Sequence, residues 1–249
     1  MQQLQLSGEA FLRKILDGER NFDYVALPKG CDLHQDMGLF GEVRIKQYDP
    51  KKERFSMRGG EWVGVDASGF AFENWIGEGT NFSYANLSST TFTAAIFDRT
   101  DFSNTRMYGV IFDGCRIQRA LFIGANLTLA HDSFLGNKSN FRYTDFESAL
   151  LSRASFKGTD FNCAKFFGAN LQDAELDHSS LYEVDFRGAN VTNTDFHSAR
   201  LIKTDLRGVR NLEKARNLSY AVYEDTKVTP LEKATIETAL QRAKRFDMS

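Results

Sequence analysis

The 249-residue chain is predicted to fold as an all-β solenoid. Three observations carry this. Large apolar residues recur every fifth position, as in the unbroken run Phe102, Met107, Phe112, Ile117, Phe122 and Leu127. Over 82–127 and 141–206 there are 24 such central positions, 13 of them Phe and 8 Leu, so the period is not local chance. Two residues before the centre stands Ala, Thr or Ser in 21 of the 24, and Asp or Asn often lies between. A period of five matches neither the 3.6 of a helix nor the 2 of a strand. Residues two apart on an extended chain point to one side, so the small and the large residue both face inward and the next two must turn a corner. A chain that turns the same way every five residues coils, and its coils stack through backbone hydrogen bonds. Asp and Asn suit the corners because their side chains bond nearby backbone groups.

The unit small-(Asp/Asn)-(Leu/Phe)-x-x is plainest in GANLQDAELDHSSLYEVDFRGANV, residues 168–191. It resembles the pentapeptide-repeat family, many of whose members come from photosynthetic bacteria. The resemblance implies a right-handed quadrilateral β-helix of four units per coil, with short helical caps at both ends. Residues twenty apart would then stack. Phe82, Phe102 and Phe122 form one internal column on this reading, and Phe146, Phe166 and Phe186 another.

Four segments follow. Residues 1–33 read as a helical cap and a partial first coil: Ser7 is a candidate N-cap, and Phe11, Leu12, Ile15 and Leu16 form an apolar face. Residues 34–79 depart from the repeat and read as an irregular β-rich insertion, with strands at 43–48, 55–58 and 62–66 and a turn at Gly59-Gly60. Residues 80–208 form the β-helix, broken at 128–138, where Leu127 to Phe141 spans fourteen residues instead of fifteen. A one-residue slip there must be absorbed by a bulge or small loop. Residues 209–249 hold a C-terminal cap and a helix over 229–246, where Thr229, Pro230 and Glu232 make a capping box. That helix folds over the last coil, or serves a homodimer, as in some family members.

Composition narrows the function. A net charge of -2 gives no general attraction to nucleic acid. No apolar run is long enough to span a membrane, the N-terminus does not read as a secretory signal, and three Cys without pairing spacing fit a reducing cytoplasm. The four His are scattered, and metal-spaced Cys, HExxH, P-loop and GxSxG motifs are absent. No catalytic, cofactor or metal residues are expected. The expected function is a non-enzymatic scaffold or regulator that binds an unidentified protein. Its candidate contact residues are Trp62, Trp75 and Tyr48 in the insertion, and His131 and Asp132 at the break, because insertions and Trp favour binding sites. The alternative, also implied by the resemblance, is a DNA mimic that binds gyrase or another topoisomerase. Such a mimic wants a continuous acidic stripe, whereas Arg106, Arg153, Lys157, Arg187 and Lys203 decorate this ladder.

Overall fold

The structure is a computed structural model that describes residues 4–47, 54–132 and 138–246. Leu4–Gln5 (β1) pairs in parallel with Val25–Ala26 (β2) and starts the first, partial coil. Between them lies Gly8–Leu16 (α1), where the Ser7 side chain accepts a hydrogen bond from the Ala10 amide. Its buried face, Phe11, Leu12 and Ile15, closes the end of the rod. Phe11 meets the Trp62 ring edge-on at 4.8 Å.

Above this cap rises a right-handed quadrilateral β-helix with four columns of parallel backbone bridges. The first face passes through Ser56, Ile76, Ile96 and Arg116; the second through Glu61, Asn81, Asp101 and Leu121; the third through Asp66, Asn86, Arg106 and Asn126. The fourth holds Ala71–Glu73 (β3), Thr91–Thr93 (β4), Ile111–Asp113 (β5) and His131–Asp132 (β6). Partners lie twenty residues apart, so equivalent side chains stack. Phe82, Phe102 and Phe122 do so with ring centroids 5.5 and 4.8 Å apart. Each stacked pair adds about 0.5–1.5 kcal/mol beyond the area it buries. Buried threonines fill the small positions without leaving a donor stranded. Thr80, Thr100, Thr194 and Thr204 each donate to a carbonyl 23 residues earlier, at 2.7–2.8 Å. The corners are left-handed, with φ near +60° even at Tyr84, Arg119 and Leu129.

The rod ends with Arg200–Ile202 (β7) paired to Val222–Glu224 (β8), two 3₁₀ turns at Leu212–Lys214 and Leu218–Tyr220, and the helix Pro230–Phe246 (α3). The Glu232 carboxylate accepts from the Thr229 amide at 2.7 Å and from the Gly208 amide at 3.0 Å, tying the helix start to the last coil.

Three expectations are corrected. Residues 37–47 are a helix (α2), not the start of a strand at 43–48. Leu39, Phe40 and Val43 are buried at helical spacing, and the Asp36 side chain accepts from the Leu39 amide at 2.9 Å. Residues 54–79 are not irregular: Ser56, Glu61 and Asp66 bridge to Ile76, Asn81 and Asn86 in regular ladder register. The repeat is disguised because volumes are exchanged between the two inward positions. Gly77 takes a central position and Trp75 the small one before it, while Ala67 follows Val65. The break is a four-residue insertion, since Arg116 pairs with Asn140 and Asn126 with Leu150. The lost residue in the count by fives and the four added ones are the same event. Phe146 therefore lands on Phe122 at 5.0 Å, and the two expected Phe columns are one.

Two outcomes follow from this packing. A Cβ on Gly77 would lie 2.2 Å from the Phe97 ring, so Gly77→Ala should cost about 1–3 kcal/mol in denaturant melts. Trp75→Ala should cost about 3–5 kcal/mol. The double variant Trp75→Ala/Gly77→Phe, which restores the usual small-large order, should be less destabilised than the sum of Trp75→Ala and Gly77→Phe; strict additivity would refute the exchange. At the other end, burial disfavours the Glu232 charge, but hydrogen bonds from Thr229 and Gly208 outweigh it and hold the carboxyl below its usual range. That stabilisation is present above the ordinary glutamate value and lost as pH falls through the lowered one. Glu232→Gln should therefore flatten the acid limb of the α3 unfolding profile, read by helix circular dichroism.

Candidate interaction surface

Every unit turns two inward and three outward positions, and only the outward ones are free to differ between coils. The second face displays this most clearly. Its outward bridge positions run Glu61, Asn81, Asp101, Leu121, Asp145, Lys165, Asp185 and Asp205. The carboxylates of its upper half are paired. Lys165 reaches Asp145 at 3.0 Å, Arg187 reaches Asp185 at 2.7 Å, and Arg207 reaches Asp205 at 2.6 Å. Hydrogen bonding from Arg207 holds the Asp205 carboxyl below its usual range. Leu121 and Lys165 interrupt the acidic column itself.

The same face carries an apolar patch in mid-rod. Leu121 is 38 % exposed and Ile123 36 %, both on one unit; Phe167, two coils further on, is 45 % exposed. Tyr143, at the corner leading into this face, is 48 % exposed. Cations rim the rings: the Arg119 guanidinium lies 5.5 Å from the Tyr143 centroid and that of Arg187 5.7 Å from Phe167. One coil earlier the positions of Leu121 and Ile123 are held by Asp101 and Ser103, the residues that the corner chemistry favours. Nothing in the repeat calls for Leu and Ile there.

The residues singled out from sequence fall elsewhere. Trp62 and Trp75 are fully buried among Phe11, Phe72 and Phe82, so neither can touch a partner. Among described residues their indole N–H groups have no acceptor. Their size suggested a binding site, but at inward positions size serves packing. Tyr48 lies outside the described residues. His131 is exposed on β6. Asp132, its neighbour, is buried at a central position where other units hold Phe or Leu. Its carboxylate accepts from the Ser139 amide at 3.0 Å, the Ser139 hydroxyl at 2.8 Å and the Thr159 hydroxyl at 2.8 Å. Asp132 thus fastens the chain on both sides of the insertion. Asp132→Ala should lower stability by about 2–3 kcal/mol, while His131→Ala stays within about 0.5 kcal/mol; equal effects in thermal melts would contradict this role.

The titrating groups do not converge as a catalytic set would. Burial pushes the Cys115 thiol up to about 12, and burial with the Glu183 charge raises Cys163, so neither is an activated nucleophile. The His178 and His197 rings lie 5.5 Å apart on the wall, next to Asp177 and Ser198. The three metal-ligating side chains that meet among the described residues are Asp32, His34 and Asp66, at the junction of cap and ladder. No described helix is long and apolar enough to cross a membrane.

Comparison with known proteins agrees with the coil geometry. HetL, a pentapeptide repeat protein involved in heterocyst differentiation regulation in Nostoc sp. strain PCC 7120, is 17 % identical over 89 % of this chain and 94 % of its own, with a TM-score of 0.45. A trypsin-treated form of QnrB1, a plasmid-mediated fluoroquinolone resistance protein, is 19 % identical over 76 % and 88 %, with a TM-score of 0.47. A pentapeptide repeat protein from the Arabidopsis thaliana thylakoid lumen is 24 % identical over 55 % and 69 %, with a TM-score of 0.25. No curated protein matches the chain in sequence. The family description "Pentapeptide repeats" matches in 8 copies over residues 78–114, 139–177 and 169–208, and with the quadrilateral coil it makes this chain a member of the pentapeptide-repeat family.

Proposed function

We propose that the protein is a non-enzymatic binding scaffold of the cytoplasm, whose protein partner docks on the second face of the rod around Leu121, Ile123, Tyr143 and Phe167. The observation that carries this reading is Leu121 and Ile123, exposed on a rigid wall at positions where the neighbouring coil holds Asp101 and Ser103. Exposed apolar and aromatic groups with a charged rim are the composition of an interface centre. The wall is already ordered by its backbone bridges, so binding there forfeits little conformational freedom. The mimic of DNA is the weaker reading. Its basic target needs a run of uncompensated carboxylates, and those of the second face are interrupted and paired.

The test uses the repeat's own chemistry. The variant Leu121→Asp/Ile123→Ser copies the adjacent coil, so its melting temperature should stay within a degree or two of the parent. A protein retained by the parent in a pull-down should be lost by the variant, with affinity down at least tenfold for the isolated partner. Retention at unchanged affinity would remove this face as the site. A change in gyrase supercoiling activity on adding the parent chain would favour the mimic instead.

A further inference from the structure

Where the chain leaves the partial first coil it passes Asp32, which bridges in parallel to Asp66 on the third face. Coil stacking at about 4.8 Å thus sets two carboxylates one above the other. Higher on this face the ladder avoids such a pairing: the Asn86 amide donates to Asp66 Oδ2 at 2.9 Å, and Asn190 donates to Asn170 at 3.0 Å. Between Asp32 and Asp66 the structure puts an imidazole. His34 Nε2 lies 2.8 Å from the Ser68 carbonyl oxygen, and Nδ1 lies 3.0 Å from Asp32 Oδ1 and 3.8 Å from Asp66 Oδ1. The Phe40 ring of α2 packs on the imidazole with centroids 4.2 Å apart, fixing its plane.

The tautomer follows from these contacts. A carbonyl can only accept, so Nε2 carries a proton and donates it to Ser68. In the neutral ring Nδ1 then presents a lone pair to two carboxylate oxygens. Three electron-rich atoms converge, and only a cation between them relieves the repulsion. A backbone carbonyl on the far nitrogen is also the usual outer partner of a metal-bound histidine, fixing its orientation and raising its basicity.

We propose that Asp32, His34 and Asp66 hold a divalent transition-metal ion, with Zn²⁺ the best match, and that the ion staples the N-terminal cap to the first full coil. The three ligand atoms lie within 4.8 Å of one another. Zinc binds imidazole and carboxylate at about 2.0–2.2 Å, which puts tetrahedral ligand atoms about 3.4 Å apart, between the 3.0 and 3.8 Å seen here. One imidazole, two carboxylates and a water complete a neutral four-coordinate site. Because 32–34 and 66–68 belong to different coils, the ion acts on the junction of cap and ladder.

The test is Zn²⁺ added to the untagged full-length chain at neutral pH. Calorimetry should give one site per chain, and the melting temperature should rise by several degrees. The ¹⁵N signals of the His34 ring should report metal at Nδ1 and a proton at Nε2. Asp66→Asn should weaken binding at least tenfold, whereas His178→Gln/His197→Gln, which removes the exposed histidine pair, should leave it unchanged. Binding that survives Asp66→Asn and is lost with the histidine pair would overturn the proposal. So would His34 ring signals that stay put through the zinc titration, a measurement on the parent chain that holds even where a variant fails to fold. Both outcomes are independent of partner binding on the second face.

Discussion

The parallel bridge between a residue and its counterpart one coil on is the constraint from which the rest of this molecule follows. It fixes the spacing of coils, so each coil must enclose a cross-section that its neighbours can sit on. Interior volume is therefore conserved coil by coil, while its distribution between the two inward positions is free. The exchange of Trp75 and Gly77 is one solution, and the threonines that donate to a carbonyl of the coil below are another. The insertion after Asp132 obeys the same rule. Four residues leave the wall and the next Phe returns to the column it would have occupied without them.

That constraint also explains what could be read in the sequence. From residue 82 onward nearly every inward pair keeps the order small then large, and the coil is legible directly. Residues 54–79 satisfy the same total volume with the order exchanged, so a pattern keyed to the identity of each position misses them. The helix at 37–47 is obscured for a different reason: Val43 and Ile45 look like strand residues when the buried partners Leu39 and Phe40 are not weighed with them. The apolar patch was within reach. Leu121 stands out only when aligned with Asp101 and Asp145, and that comparison needs the register across the insertion. Asp32, His34 and Asp66 meet through a bridge spanning 34 residues outside the regular repeat, and no spacing within the chain announces it.

The division between inward and outward positions separates two kinds of demand on the sequence. Stability is met almost wholly by the inward pair and the corner, which leaves the wall open to whatever a partner requires. Large side chains that draw attention by size, such as Trp62 and Trp75, answer to the first demand. Modest departures on the wall, a leucine in place of an aspartate, answer to the second. In a protein of this architecture, rarity of a residue type is a poor guide to contact, and deviation from the column is a good one.

The inter-coil hydrogen bonds run along the rod axis, one coil to the next. Tension applied between the two ends therefore loads only the bonds of one coil boundary at a time, and they part in series. A sheet pulled along its strands shares the load across many bonds at once; this rod does not. Under axial force it should peel coil by coil from whichever end yields first, in small regular steps, each releasing about twenty residues of chain. Glu232 at one end and the seat of Phe11 on Trp62 at the other are then latches, and they set the threshold at which peeling begins.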